Sequence, residues 1–170
     1  MHAKTIAYQF GLCSHILERN LAGLSHEESL INPQPAGSCL NWVLGHVTRT
    51  RNRTLSLVGG RPLFANEEFD AYDDNGGVTF QAETAIHLDE LKRRFKALQE
   101  PLVSSLDSMS IEAMDKPAPV SPTGNPNETV GSLLAALAFH EAYHVGQTGM
   151  LRRIVGREGV VKPPRVPATK

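Results

Sequence analysis

Apolar residues recur every three or four positions in four separate stretches of the chain, and this spacing is typical of amphipathic α-helices. The sequence predicts helices over residues 3–23, 38–60, 80–109 and 129–156. Pro101 falls inside the third stretch and should kink or split that helix near Glu100. Four helices that each carry one apolar stripe are most simply packed against one another, so we expect an all-α fold, a four-helix bundle with long connections.

The connections between these helices are long and rich in proline, glycine or acidic residues: 25–37, 59–79 and 115–128. In the second of them, Phe64, Phe69 and Tyr72 should hold the chain against the bundle. A loop of this length is either a lid over a site or a solvated acidic connection, and the sequence favours neither. The length of the chain suits a single domain over residues 1–170.

Composition narrows the class of protein. The chain has a net charge of −1 and a pI of about 6.7, which gives no overall attraction to nucleic acid or to an anionic membrane. Its two cysteines, Cys13 and Cys39, lack CxxC spacing, and we find neither a signal segment nor a membrane span. We therefore expect reduced thiols in a cytoplasmic protein, with Cys13 as a small apolar filler of the core.

The last predicted helix carries two histidines, His140 and His144, on its apolar stripe. That stripe comprises Leu133, Leu137, His140, His144, Gln147, Leu151 and Val155. Histidines four residues apart lie one above the other, so both rings can point at one ion. His46 follows Val43 on the inner edge of the second predicted helix and is the third candidate ligand. Three neutral imidazoles bind a divalent transition metal and leave coordination positions open for water or substrate.

The same residues match other metal motifs less well. His140 to His144 read HExxH, the zinc-protease signature in which the glutamate is the general base. Gln147 and Met150 stand where the extended protease motif needs glycine and histidine, and no strand-rich sheet precedes the helix. A di-iron site needs a second ExxH and further carboxylates, and we find no second ExxH. Glu141 is then a hydrogen-bond acceptor for one of the ligand histidines, a base at the edge of the site or, by default, a solvated charge.

Two arginines follow His46 along the same helix face. Arg49 and Arg53 lie three and seven residues after it and could draw an anionic substrate toward the metal. The alternative, which the run of charges favours, is a solvated basic flank that also includes Arg51.

Two sequence words resemble the DinB/YfiT-like superfamily of metal-dependent bundles: NWVLGH at residues 41–46, and TVG at 129–131 leading into HEAYHVGQ at 140–147. The resemblance implies a four-helix bundle, commonly dimeric, with a nickel- or zinc-type ion held by His46, His140 and His144. Characterised relatives include transferases and isomerases that use low-molecular-weight thiols such as bacillithiol or mycothiol, and others have been assigned as hydrolases. The acidic loop at residues 64–77 matches no family motif, so no substrate pocket is implied.

Our leading hypothesis is a cytoplasmic, homodimeric metal-dependent enzyme of thiol S-transferase or hydrolase type. Its ion would activate a thiol or water for attack on a small molecule, with no nucleic acid or membrane as partner and no further catalytic residue assigned. One alternative is a non-catalytic bundle, a structural or interaction module, in which a metal only stabilises the fold or a dimer. Another is a metal-free bundle whose histidines bind polar partners.

Overall fold

The computed structural model describes residues 3–73 and 80–161, so residues 74–79 of the predicted 59–79 connection lie outside the described residues. Within those two ranges the chain is helical and forms no β-strand, only an isolated bridge between Pro117 and Thr129. The α-helices are α1 (Ala3–Leu21), α2 (His26–Ser29), α3 (Leu40–Leu57), α4 (Leu88–Ala97), α5 (Gln99–Asp107), α6 (Ile111–Met114) and α7 (Val130–Ile154). Two 3₁₀ helices span Asn66–Tyr72 and Ala82–Thr84. The all-α prediction is confirmed.

The bundle consists of four long helical segments: α1, α3, α4 together with α5, and α7. Helix α7 packs against α1 and α3, while α1 packs against α5, and α3 also packs against α4. The buried apolar side chains form two clusters, one around Leu17, Val43 and Leu91 and the other around Leu55 and Leu134. His46 on α3 and His140 and His144 on α7 lie among the side chains that these two helices turn toward each other.

The third predicted helix is split, as Pro101 indicated. Helix α4 ends at Ala97 and α5 begins at Gln99. Proline has no N–H to donate to the carbonyl four residues earlier, here that of Ala97, so the helical hydrogen bonds are interrupted at this point. The predicted start at residue 80 is wrong, because α4 begins only at Leu88. Before it, the Asn41 side chain and the Tyr72 hydroxyl bind the two backbone polar groups of Ile86 and hold that segment out of the helix.

The caps of the two site-bearing helices differ in how well the sequence predicted them. The Thr129 hydroxyl accepts a hydrogen bond from the Ser132 N–H at 3.2 Å and caps α7 as expected. The predicted cap at Ser38 is wrong by one residue, because the Cys39 sulfur accepts from the Trp42 N–H at 3.5 Å. The shift leaves the inward direction of His46 unchanged.

The buried face of α7 is centred one residue away from the predicted stripe. Its most buried side chains over the middle of the helix are Leu134, Ala138, Glu141, Val145 and Thr148. The two histidines lie beside this line, with His144 buried and His140 half-buried. The stripe was misplaced because alanine, threonine and glutamate give little apolar signal, although a helix face can bury all three.

The described part of the acidic loop is anchored as predicted. Phe69 and Tyr72 are fully buried and Phe64 is half-buried. The Asn52 side chain accepts from the N–H of Leu63 and of Phe64 and donates to the Phe64 carbonyl. The 3₁₀ helix Asn66–Tyr72 was not expected, since the sequence predicted no regular element here. This packing brings Tyr72 against α3 beside His46.

Candidate metal centre

The three histidines singled out from the sequence come together between α3 and α7. The Nε2 atom of His140 lies 3.0 Å from Nε2 of His46 and 3.1 Å from Nε2 of His144. One ligand atom from each of the three residues lies within 4.8 Å of the other two, so the group could bind one metal ion. His46 and His144 are 3% and 9% exposed.

Hydrogen bonds orient two of the three rings. Nδ1 of His46 lies 3.0 Å from the backbone carbonyl of Tyr72, and Nδ1 of His144 lies 2.7 Å from Oε1 of Gln147. A carbonyl oxygen only accepts, so in each ring Nδ1 carries the proton and Nε2 presents a lone pair to the cluster. The indole of Trp42 also stacks on the His46 ring, with centroids 4.7 Å apart at an interplanar angle of 14°.

The donor set fits a divalent transition metal. With lone pairs on Nε2 of His46 and of His144, one proton on Nε2 of His140 can serve only one of the two contacts. The other contact then has no proton to share, whereas a cation would attract an Nε2 lone pair from each of the three rings. Zinc–imidazole bonds of about 2.0–2.1 Å in a tetrahedral site imply nitrogen separations of about 3.3 Å. The observed 3.0 and 3.1 Å are close to that value.

Within the part of the chain that the structure describes, no fourth ligand accompanies the three imidazoles. Among residues 3–73 and 80–161, no cysteine, aspartate or glutamate joins the group. Cys13 is buried in the core, and burial raises the pKa of its thiol to about 11, which agrees with its predicted role as an apolar filler. A set of three protein ligands with open positions is the arrangement of catalytic rather than structural zinc sites.

Contacts with Tyr72 explain several residues of the NWVLGH motif. Gly45 leaves room for the phenol ring, because a Cβ at that position would lie 2.1 Å from a carbon of the ring. The Tyr72 hydroxyl donates to Oδ1 of Asn41 at 3.0 Å and accepts from the Ile86 N–H at 2.7 Å. Burial raises the pKa of Tyr72 to about 12, so the phenol stays neutral. Tyr72 thus couples the acidic loop to the orientation of the His46 ring.

Glu141 is not a solvated charge, and that expectation is wrong. Its side chain is buried, and both its carboxylate oxygens bind Arg51, through Nε at 2.6 Å and Nη2 at 2.5 Å. Burial raises the pKa of Glu141, and the neighbouring guanidinium opposes that rise. Glu141 therefore pairs with Arg51 and lies outside the three-histidine group, so it is placed neither as a fourth ligand nor as the base that an HExxH protease needs.

Arg51 likewise does not belong to a solvated basic flank, because its side chain is only 1% exposed. Its Nη1 donates to Oε1 of Gln99 at 2.6 Å, and its Nη2 donates to the Phe10 carbonyl at 2.9 Å. Arg53 is exposed and Arg49 half-buried, so the solvated flank describes Arg53. The attraction of an anionic substrate by these two arginines stays a prediction.

The fold and this cluster define an all-α bundle with a possible three-histidine metal site between two of its helices. The chain belongs to the DinB superfamily, whose family model matches residues 9–148 and so includes all three histidines. This confirms the resemblance drawn from the two sequence words.

The comparison with solved structures agrees on the fold. The crystal structure of a conserved protein from Enterococcus faecalis aligns with a TM-score of 0.74 over 91% of this chain and 98% of that chain. The two sequences are 18% identical, so the likeness shows the fold alone. Comparison with curated proteins gives no match. None of the described helices has the length and hydropathy that crossing a bilayer requires.

Proposed function

We propose that the protein is a metal-dependent enzyme whose ion, nickel or zinc, is held by His46, His140 and His144. The observation that carries the proposal is the convergence of three Nε2 atoms, with neighbouring Nε2 atoms 3.0 and 3.1 Å apart and two of the rings turned inward by hydrogen bonds at Nδ1. Superfamily membership supports metal binding at these positions. The substrate is a small molecule, because the cluster is enclosed between two helices.

A divalent ion held there would supply Lewis acidity, which lowers the pKa of a water or thiol at an open coordination position. The chain does the positioning: the Tyr72 carbonyl and the Gln147 amide fix two ligand rings, and Trp42 covers one face of His46. His140 is half-buried, whereas His46 and His144 are buried. We therefore place the entry of substrate on the His140 side of the cluster.

The state of Glu141 favours the thiol over water as nucleophile. A free thiol loses its proton near pH 8.5, whereas water needs far stronger activation or a general base. The carboxylate closest in sequence to the ligands pairs with Arg51 and lies outside the three-histidine group, so it is not placed to act as that base. We accordingly propose a thiol S-transferase that uses a low-molecular-weight thiol, with hydrolysis as the second reaction to assay.

The test compares the metal-loaded protein with His46→Ala. Elemental analysis after purification without chelators should find about one ion per chain, and turnover of an activated aryl halide with a small thiol should depend on that ion. We expect His46→Ala to lose at least about tenfold in metal affinity, and to lose turnover with it. Mutation of a residue that only hydrogen-bonds a ligand already lowers metal affinity by that much. The matched control is His15→Ala, which removes an exposed histidine of α1. Equal turnover in wild type and His46→Ala would overturn the proposal.

A non-catalytic role is the second candidate, and the position of the ligands in the chain favours it. His46 and His140 are 94 residues apart in sequence, so an ion between them would cross-link α3 and α7. This role predicts a large fall in melting temperature on chelation and no turnover with any thiol. A metal-free bundle instead predicts no binding on titration with nickel or zinc.

We also propose that the protein is a cytoplasmic homodimer. Three large apolar side chains lie exposed along α7 at helical spacing: Phe139 at 74%, Tyr143 at 60% and Met150 at 64%. Exposed apolar surface of this kind is commonly covered by a partner. Both cysteines are free thiols, which suits a reducing compartment.

A further inference from the structure

A buried polar network lies at the centre of the bundle and is not part of the three-histidine cluster. Arg51 on α3 binds Glu141 on α7, Gln99 on α5 and the Phe10 carbonyl on α1. The Ser14 hydroxyl of α1 donates to the same Gln99 oxygen. The guanidinium also stacks on aromatic rings of both apolar clusters, with its central carbon 4.1 Å from the Phe95 centroid and 5.5 Å from that of Phe10. Arg51 of α3 therefore contacts each of the other three long helical segments of the bundle.

The hydrogen bonds of Glu141 are directional, whereas many of the other contacts of α7 are apolar and have no preferred direction. From its first turn to Thr148, the buried residues of α7 include two small ones, Gly131 and Ala138, beside Leu133, Leu134 and Val145. Small side chains leave few ridges to fix a helix against rotation or sliding. A bidentate arginine–carboxylate pair holds two hydrogen bonds in one plane and tolerates little displacement of either helix. A slip of α7 by one residue, a rise of about 1.5 Å, would break both.

Stability alone does not explain a buried ion pair. Removing two charges from water costs several kcal/mol per ion, and well-packed apolar replacements are often neutral or stabilising. The best-attested use of such a group is to specify register, which apolar contacts do poorly. Glu141 follows His140 by one residue and precedes His144 by three, so whatever fixes Glu141 also fixes the direction of both histidines.

We propose that Arg51 and Glu141 are positioning residues that set the rotation and axial register of α7, so that His140 and His144 meet His46. This inference rests on the proposed metal site. The glutamate of the HExxH motif then has a role unlike that in proteases. Glu141 turns away from the ion and is bound by an arginine of the facing helix. The pair acts on the affinity for the metal rather than on the chemistry.

The test removes both charges together. In the double variant Arg51→Met/Glu141→Leu no buried charge is left unpaired, and the volume of the core is roughly kept. Cobalt is the probe, because its absorption bands report the geometry of the ligands as well as occupancy. Wild type and variant are titrated with Co²⁺, and their unfolding is followed by circular dichroism without metal. The matched control is Arg152→Met, which removes an arginine that ties the same helix to the Asn20 and Ala22 carbonyls at the end of α1.

We expect the double variant to unfold cooperatively at a temperature near that of wild type, with a Kd for Co²⁺ about 10–100-fold higher and altered absorption bands. The control should keep the wild-type Kd. An unchanged Kd and spectrum in the folded double variant would overturn the inference and leave the metal site intact. If the double variant does not fold, Arg51→Lys decides: it keeps the positive charge but loses the two-pronged contact, and an unchanged Kd there overturns the inference equally. A wild type that binds no Co²⁺, Ni²⁺ or Zn²⁺ would remove the proposed function and this inference together.

Discussion

The substitution Gly45→Ala tests whether the Tyr72 ring positions His46. Gly45 immediately precedes His46 inside α3, and an added Cβ would lie 2.1, 2.2 and 2.6 Å from three carbons of the phenol ring. Those separations are far below van der Waals contact, so the ring must move. Tyr72 is fully buried and held by Asn41 and Ile86 at its hydroxyl, so the ring cannot swing into solvent. The displacement therefore passes to the backbone of Tyr72, whose carbonyl binds His46.

Two effects of opposite sign set the size of the change in stability. Forcing an extra carbon into a packed core costs about 1–3 kcal/mol. Replacing glycine by alanine within a helix returns about 0.5–1 kcal/mol. We expect a net loss of about 1–2 kcal/mol in the free energy of unfolding. Loss of the carbonyl that orients a ligand ring should weaken metal binding by about 10–100-fold.

Urea denaturation and Co²⁺ titration measure the two effects separately. The control is Gly146→Ala, the same substitution inside α7 two residues after His144, where an added Cβ meets no atom within 4 Å. That variant should gain about 0.5–1 kcal/mol from helix propensity and keep the wild-type metal affinity. Should Gly45→Ala match the control in both stability and affinity, Tyr72 does not hold the ring as argued.

Three further predictions concern the buried phenol of Tyr72 and the buried thiols. Tyr72→Phe removes a hydroxyl that binds Asn41 and the Ile86 N–H, so the free energy of unfolding in urea should fall by about 1–3 kcal/mol; a loss below a few tenths would contradict the role of that hydroxyl. Burial raises the pKa of Cys13 from 9.0 to about 11 and also raises that of Cys39, so a thiol reagent at pH 8 should label the folded protein slowly and both thiols rapidly in urea. The Cys13 thiol ionises at a lower pH in the unfolded chain than in the folded one, so the free energy of unfolding should be unaffected below pH 9 and fall between pH 9 and 11. Fast labelling of the folded state, or a free energy of unfolding that stays constant in that range, would show that the thiol is not buried.

The helices and the three histidines were predictable because their signals are local. A spacing of four residues puts His140 and His144 on one side of a helix whatever surrounds it. The position of His46, which follows an apolar residue at helical spacing, predicts that its side chain points inward. The convergence of the three rings needed only the assumption that two inward faces of a bundle meet.

The orientation of the rings was not predictable, since it depends on contacts between distant residues. The carbonyl that binds His46 belongs to Tyr72, 26 residues later in a loop without regular pattern. Backbone carbonyls carry no sequence signature. The available sign was Gly45, because a glycine inside a helix usually marks a place where something approaches closely. The sequence does not say what approaches.

The burial of Arg51 and Glu141 is not predictable from either residue alone, and the cause is different. Singly, a charged residue at a helix surface is usually solvated, and burial costs too much to be assumed. Arg51, however, lies at helical spacing between Val47 and Val58 on the apolar stripe of its helix, and Glu141 is only one residue from the predicted stripe of α7. Two opposite charges on facing stripes can bury each other, although neither could be buried alone. The burial of either residue could therefore be inferred only by considering both helices at once, which the spacing within one helix does not do.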